Sequence, residues 1–228
     1  MGRDMLETCL SPAALAREAA DAVLAGLSSG IAARGAASLV ATGGRSPAPV
    51  YDLLSASLLD WGKVAVTLSD DRFVSPHDPA SNERLVRERL LAGHAAAARF
   101  VPLNRPVADP QASAERAEAE VKALAPFDVV MLGMGEDGHV ASLIPGSSVL
   151  AAGMDPGGEA FLLGVPAGVG SPPLARISMT LPALLTARLT LILVAGEAKR
   201  AVLEDGRGLP VHALLEQAKA PVRILWTP

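Results

Sequence analysis

Two periodicities alternate along this chain. Short apolar, β-branched runs recur at 37–42, 63–69, 127–133, 161–165, 175–179, 189–194 and 222–226, and each has the length and composition of a strand. Between them apolar residues return every three or four positions, which predicts helices over 12–33, 46–59, 81–91, 112–124, 197–204 and 211–219. Ser11-Pro12 and Ser46-Pro47 supply an N-cap and a first-turn proline for the first two. Glu118 and Lys122 are spaced as an i, i+4 ion pair in the fourth. A further short helix is expected after residue 133, cut off by Pro145. Strands alternating with helices imply an α/β fold of three layers, in which a mostly parallel, Rossmann-like sheet is covered by helices on both faces. No internal repeat or long linker breaks the pattern, so one domain over 1–228 is expected, with 146–160 as its most mobile loop.

Composition narrows the class. Half of the residues are hydrophobic and 19% are charged, which excludes a disordered chain and supports a sizeable core. With only seven aromatic residues, that core must be built mainly from Ala, Leu and Val. Mean hydropathy is positive, yet the longest apolar strings, such as 189–195, fall far short of the roughly 20 residues that span a bilayer. Neither a secretory signal pattern nor a myristoylation signal opens the chain, so a cytoplasmic location and no membrane partner are expected. Cys9 is the only cysteine, which excludes a disulfide framework and cysteine-rich metal sites. The histidines at 77, 94, 139 and 212 show no metal-ligand spacing, and neither metal nor cofactor is expected. A net charge of −4 with scattered Lys and Arg argues against nucleic acid. The expected partner is a small molecule, bound by a monomer or small homo-oligomer, and an anionic ligand would need local positive geometry.

The segment Met131-Leu-Gly-Met-Gly-Glu-Asp137-Gly-His139-Val-Ala-Ser-Leu-Ile-Pro145-Gly is the most informative. It delivers a histidine and a carboxylate from a glycine-rich turn at the carboxyl end of a strand, where ligands collect in open α/β sheets. An imidazole there can take and give a proton near neutral pH. Thr42-Gly43-Gly44-Arg45-Ser46-Pro47 joins a strand to a helix start. Its glycine amides, the first-turn amides and the Ser46 hydroxyl can converge on one anion, such as a phosphate. It lacks the Walker pattern, and the plainer alternative is a strand-to-helix turn with Ser46 as N-cap. Ser69-Asp70-Asp71-Arg72 ends the next strand, and in extended geometry Asp70 and Arg72 share a side that Asp71 does not. Asp70 and Arg72 are therefore the candidates, and Asp71 is expected in a solvated turn before an Asn-capped helix. Arg176 and Lys199 are further cations near strand ends. Two motif matches fail on context. Gly133-x-Gly135-x-x-Gly138 lacks the long helix and the strand-ending acid of a dinucleotide site. Gly26-Leu-Ser28-Ser-Gly30 matches a nucleophile elbow but falls at an expected helix end with no strand leading into it.

Four blocks occur in order: Thr-Gly-Gly-Arg-Ser-Pro (42–47); Asp-Asp-Arg-Phe-Val (70–74) with Ser-Asn (81–82); Leu-Gly-Met-Gly-Glu-Asp-Gly-His-Val-Ala-Ser-Leu-Ile-Pro-Gly (132–146); and Arg-Ile-Ser-Met-Thr-Leu-Pro (176–182) with Gly-Glu-Ala-Lys (196–199). Together, over about residues 37–205, they resemble the 6-phosphogluconolactonase family. The resemblance implies a fold similar to glucosamine-6-phosphate deaminase and ribose-5-phosphate isomerase. It also implies hydrolysis of 6-phosphoglucono-δ-lactone to 6-phosphogluconate in the pentose phosphate pathway. Carried over, it makes His139 the general base, with Asp137 or Asp70 orienting the imidazole. Gly43, Gly44, Arg45 and Ser46 would bind phosphate, Asp70 and Arg72 would line the sugar site, and Arg176 and Lys199 would be auxiliary anion ligands. Asp71 departs from the Glu that the family usually carries there. Two rivals are weaker. An isomerase or deaminase acting on an aminosugar phosphate would place a Glu shortly after the histidine, whereas no acid follows His139 until Asp155. A non-catalytic sugar-phosphate sensor would usually carry an attached domain, and only some 35 residues precede the first expected strand.

Overall fold

The computed structural model describes residues 5–228. In chain order the elements are β1 (Leu6–Thr8), α1 (Pro12–Arg34), β2 (Ala37–Ala41), α2 (Pro47–Ser55), β3 (Val64–Leu68), β4 (Asp70–Arg72), α3 (Asn82–Arg89), β5 (Arg99–Phe100) and α4 (Pro110–Lys122). There follow β6 (Val129–Gly133), α5 (Leu150–Met154), β7 (Leu162–Val165), β8 (Arg176–Met179), α6 (Leu181–Leu184), β9 (Thr190–Ala195), α7 (Glu197–Asp205), α8 (Pro210–Gln217) and β10 (Val222–Thr227).

Seven strands form one parallel sheet in the order β1-β10-β9-β6-β2-β3-β5. Every residue of β2 and β3 is buried, which is why these strands read as continuous apolar runs rather than alternating ones. Helix α1 lies along β2, β9 and β10. It starts as expected, with Ser11 Oγ accepting from Ala14 N at 3.2 Å and Pro12 in the first turn. The 26–30 segment lies inside this helix rather than at its end. A Cβ at Gly26 would meet Val129 Cγ2 at 2.6 Å, so the glycine lets α1 close down on β6.

The structure corrects several local expectations. Helix α2 stops at Ser55, short of residue 59, and Ser57 Oγ turns back to donate to Leu54 O at 2.7 Å. The strands at 161–165 and 175–179 do form, but they leave the parallel sheet. β7 pairs antiparallel with β8, and β8 antiparallel with β4, in a second sheet, because residues 166–175 are too short a connection for a parallel crossover. No helix follows β6 directly. Gly138 (φ +75°) and Ala141 (φ +51°) are left-handed, which a right-handed helix cannot accommodate, and Val140 instead bridges to Met134 and Leu143. The 146–160 segment carries the short α5. Glu118 is not paired with Lys122. Its carboxylate accepts from Phe161 N and Leu162 N, each at 3.1 Å, and so ties α4 to the start of β7. Among the described residues no helix is long and apolar enough to cross a membrane.

Candidate active site

The loops after β2, β6 and β9 leave the same edge of the parallel sheet, since these strands are neighbours running in one direction. They and β4 enclose a cleft of about 230 Å³. Gly43, Gly44, Arg45 and Ser46 line one part of it, and Asp70, Arg72, His139, Arg176 and Lys199 line the rest. Of the candidate catalytic and substrate-binding residues, only Asp137 lies outside the lining, and it touches the imidazole.

His139 Nδ1 is 2.6 Å from Asp137 Oδ1, which also accepts from His139 N at 3.2 Å. A carboxylate has no proton to give, so Nδ1 carries the hydrogen and Nε2 keeps the lone pair. The turn that makes this possible is glycine-dependent. A Cβ at Gly135 would run into the His139 ring and the Asp137 carboxylate. Gly135 N donates to His139 O at 3.0 Å and closes the turn.

Asp70 does not orient the histidine; its carboxylate is engaged elsewhere. It is buried, with Ser142 Oγ donating to Oδ2 at 2.5 Å, Ser69 Oγ to Oδ1 at 3.2 Å, and Arg176 Nη1 3.9 Å from Oδ2. Asn82 Nδ2 donates to the Asp70 carbonyl at 2.9 Å and reaches Oδ1 at 3.5 Å. Arg176 is buried too, and Nη2 donates to Pro172 O at 2.8 Å. Burial pulls its pKa below the usual arginine value, against the opposing pull of Asp70.

Asp71 faces away from the cleft, as strand geometry requires, but the solvated turn expected around it is wrong. Asp71 is fully buried and accepts from Asn82 N at 2.6 Å, Arg72 N at 2.8 Å and Asn104 Nδ2 at 3.2 Å. Its carboxylate thereby sits at the amino end of α3. Burial pushes Asp71 up to about 7, while hydrogen bonds from backbone amides pull the other way. The N-cap itself is Ser81, whose Oγ accepts from Arg84 N at 3.2 Å, and this leaves the Asn82 side chain free for Asp70.

The glycine loop is held at its amino end. Tyr51 OH donates to Thr42 O at 2.5 Å and accepts from Thr42 N at 2.9 Å, and a Cβ at Gly43 would collide with the Asn82 amide. Ser46 occupies the N-cap position with Pro47 in the first turn, as the plain turn requires, but it is already helical (φ −64°, ψ −36°) and its side chain makes no capping bond. The helix leaves its hydroxyl unused. Four cations line the cleft, Arg45, Arg72, Arg176 and Lys199, against the single carboxylate of Asp70. Among the described residues the Nε atoms of Arg72 and Arg176 are buried without a partner. This is the local positive geometry that an anion needs on a chain of net charge −4. Among the described residues no group of three or more His, Cys, Asp or Glu could hold a metal ion.

Asn82 and Ser142 are the site residues that sequence reasoning missed. Asn82 stands in the Ser-Asn block that opens α3, and Ser142 is three residues beyond His139, but nothing local signals that both reach Asp70.

A family model described as "Glucosamine-6-phosphate isomerases/6-phosphogluconolactonase" matches residues 10–226. The chain belongs to this family. The 6-phosphogluconolactonase of Caulobacter vibrioides is 47% identical over 212 residues, covering 92% of this chain and 91% of that protein. The crystal structure of a 6-phosphogluconolactonase from Shewanella baltica superposes with a TM-score of 0.90 at 35% identity, covering 98% of this chain and 97% of that one. A monomeric glucosamine-6-phosphate deaminase superposes with a TM-score of 0.78 at 21% identity, over 97% of this chain and 96% of that one, a likeness of fold alone. The α/β fold expected from the sequence is therefore the family's. Because that fold serves more than one chemistry, the choice between them rests on the cleft.

Proposed function

We propose that this protein hydrolyses 6-phosphoglucono-δ-lactone to 6-phosphogluconate, the lactone-opening step of the pentose phosphate pathway, with His139 as general base. The observation that carries this is the sharing of one cleft by the His139–Asp137 pair and the Gly43–Ser46 loop. The Caulobacter and Shewanella relatives, both named 6-phosphogluconolactonases and matched over nearly their whole length, support the substrate.

In this reading the substrate phosphate rests on the amides of Gly43 and Gly44, the Ser46 hydroxyl and the Arg45 guanidinium, with the first turn of α2 adding its positive end. Nε2 of His139 takes a proton from water as the water oxygen attacks C1 of the lactone. The negative charge gathers on the former carbonyl oxygen, where Arg72 and Arg176 have N–H donors to spare; one good donor at that position is worth about 3 kcal/mol. When the tetrahedral intermediate collapses, the bond from C1 to the ring oxygen breaks and the imidazolium returns its proton to that oxygen. The product acid then ionises to 6-phosphogluconate. Asp137 holds the tautomer and stabilises the imidazolium in between. Asp70, anchored by Ser142 and Asn82, fixes Arg176 and presents a carboxylate edge to the sugar hydroxyls.

The test is lactone hydrolysis coupled to 6-phosphogluconate detection, with spontaneous opening subtracted. His139→Ala is expected to lose about a hundredfold to ten-thousandfold in kcat. Equal rates in both proteins would remove His139 as the base. Phosphate-free gluconolactone serving as well as the phosphorylated lactone would remove the glycine loop as the anchor.

A further inference from the structure

The parallel sheet has a second cavity at its other end. There β9, β6, β2, β3 and β5 lie side by side, and their amino ends present a row of charged residues. Arg188 precedes β9, Asp128 precedes β6, Arg34 ends α1 just before β2, Lys63 precedes β3, and Arg99 opens β5. All five line one cavity of about 570 Å³, more than twice the volume of the catalytic cleft. The floor between them is made of small apolar positions such as Ala37 and Ala65. At roughly 4.8 Å per strand, the row from β9 to β5 is about 19 Å long. The five residues of β2 separate it from the catalytic cleft by about 16 Å.

The cations are only partly neutralised. Asp128 is the one carboxylate in the lining and is shared: Arg34 is ion-paired to Oδ1, and Arg188 Nε is 3.8 Å from the same oxygen. Oδ2 of Asp128 is taken by Ser38 N at 2.9 Å. Lys63 meets Asp60 at 2.8 Å, but both are exposed, and Asp60 lies outside the cavity; such a pair is worth little. The Arg99 side chain is exposed and has no hydrogen bond or ion pair among the described residues. The ends of α1 and α4 also face this cavity, and their carbonyls would attract cations. Ile31 O of α1 accepts from Gly35 N at 2.8 Å, Ala119 O and Val121 O of α4 accept from Ala123 N at 3.1 Å and Leu124 N at 3.0 Å, and none of the cavity's basic side chains is hydrogen-bonded to a carbonyl at either helix end among the described residues. The basic side chains are therefore not used up as helix caps.

We propose that this cavity is a second ligand site for an extended organic polyanion of the nucleoside triphosphate type. The chemistry follows from the shape. A single phosphate would meet one end of the row, whereas a triphosphate chain lies along three neighbouring cations, and an uncharged organic body covers the apolar floor. The strands between the two cavities keep this ligand apart from the lactone.

Isothermal titration calorimetry with magnesium-free ATP tests the site on the intact protein. One saturable site is expected, with affinity falling as salt rises. Arg99→Glu and Lys63→Glu should each weaken it by about tenfold or more, because each places a like charge against the ligand. Both residues are exposed, so neither change should lower the melting temperature by more than a degree or two. Arg45→Glu, in the catalytic cleft, should leave ATP affinity unchanged. Inorganic tripolyphosphate should bind more weakly than ATP; equal affinity would overturn the organic part of the proposal. Absence of saturable binding, or binding lost in Arg45→Glu and kept in Arg99→Glu, would overturn the site itself.

Discussion

Two corners of the catalytic cleft are built on opposite principles. The His139–Asp137 corner is local and open: the two side chains are two residues apart, 26% and 44% exposed, and joined by one 2.6 Å hydrogen bond. The Asp70 corner is assembled at long range and sealed. Asp70, Ser142 and Arg176 come from β4, the loop after β6 and β8, and all three are buried. The difference separates two tasks. A group that exchanges protons with water must be reachable by water, whereas a carboxylate that fixes an arginine gains strength and direction by excluding it. The open corner should therefore be costly for turnover and cheap for stability when mutated, and the sealed corner costly for both.

That contrast can be broken by measurement. The largest effect is expected from Asp70→Ala, which strands the buried Arg176 charge and the Ser142 hydroxyl; denaturant unfolding should show a loss of about 3 kcal/mol or more, along with most of the activity. Asp137→Ala should leave unfolding within about 1 kcal/mol of the wild type while lowering kcat on the order of tenfold to a hundredfold. That is less than a buried triad loses, because water competes for this exposed bond. If the two variants behaved alike in unfolding, the distinction between the corners would fail.

Asp71, back to back with Asp70, sharpens the comparison through pH. Its folded-state value of about 7 lies above that of an unfolded aspartate, so the native state holds this proton more tightly. Its contribution to stability is thus fully present below about pH 4 and declines as pH rises, disappearing above pH 7. Melting temperatures from pH 4 to 8 should fall more steeply in the wild type than in Asp71→Asn. The smallest effect is expected from Arg45→Ala, on the exposed rim. KM should rise about fivefold to tenfold with kcat within about twofold, because a remote phosphate contact anchors the substrate equally in ground and transition states.

The same division decides what could be read from the sequence. His139, Asp137 and the glycine turn lie within one short motif, and the Gly43–Ser46 loop joins one strand to one helix, so local chemistry announces both. Five strands of the seven-strand sheet were legible because they are buried and read as apolar runs, whereas β1 and β5, three and two residues long and only partly buried, carry no such run. The Asp70 network was not, since Ser142 and Asp70 are 72 positions apart and no spacing rule links them. Asp71 was misjudged for a related reason: adjacent carboxylates usually mean solvent, and only the fold supplies the five donors that let this one be buried. The second sheet was hidden because β7 and β8 look like any other strands, and only their short connection forbids the parallel pairing.

Strand β4 is three residues long, yet its two acids serve opposite sides, one the cleft and one the helix behind it. A slip of its pairing with β8 by a single residue would exchange them, turning the carboxylate at the amino end of α3 toward the cleft and the arginine clamp into the core. Insertions and deletions here should be more damaging than any single substitution, so that this short ribbon acts as the alignment mark between the catalytic chamber and the rest of the molecule.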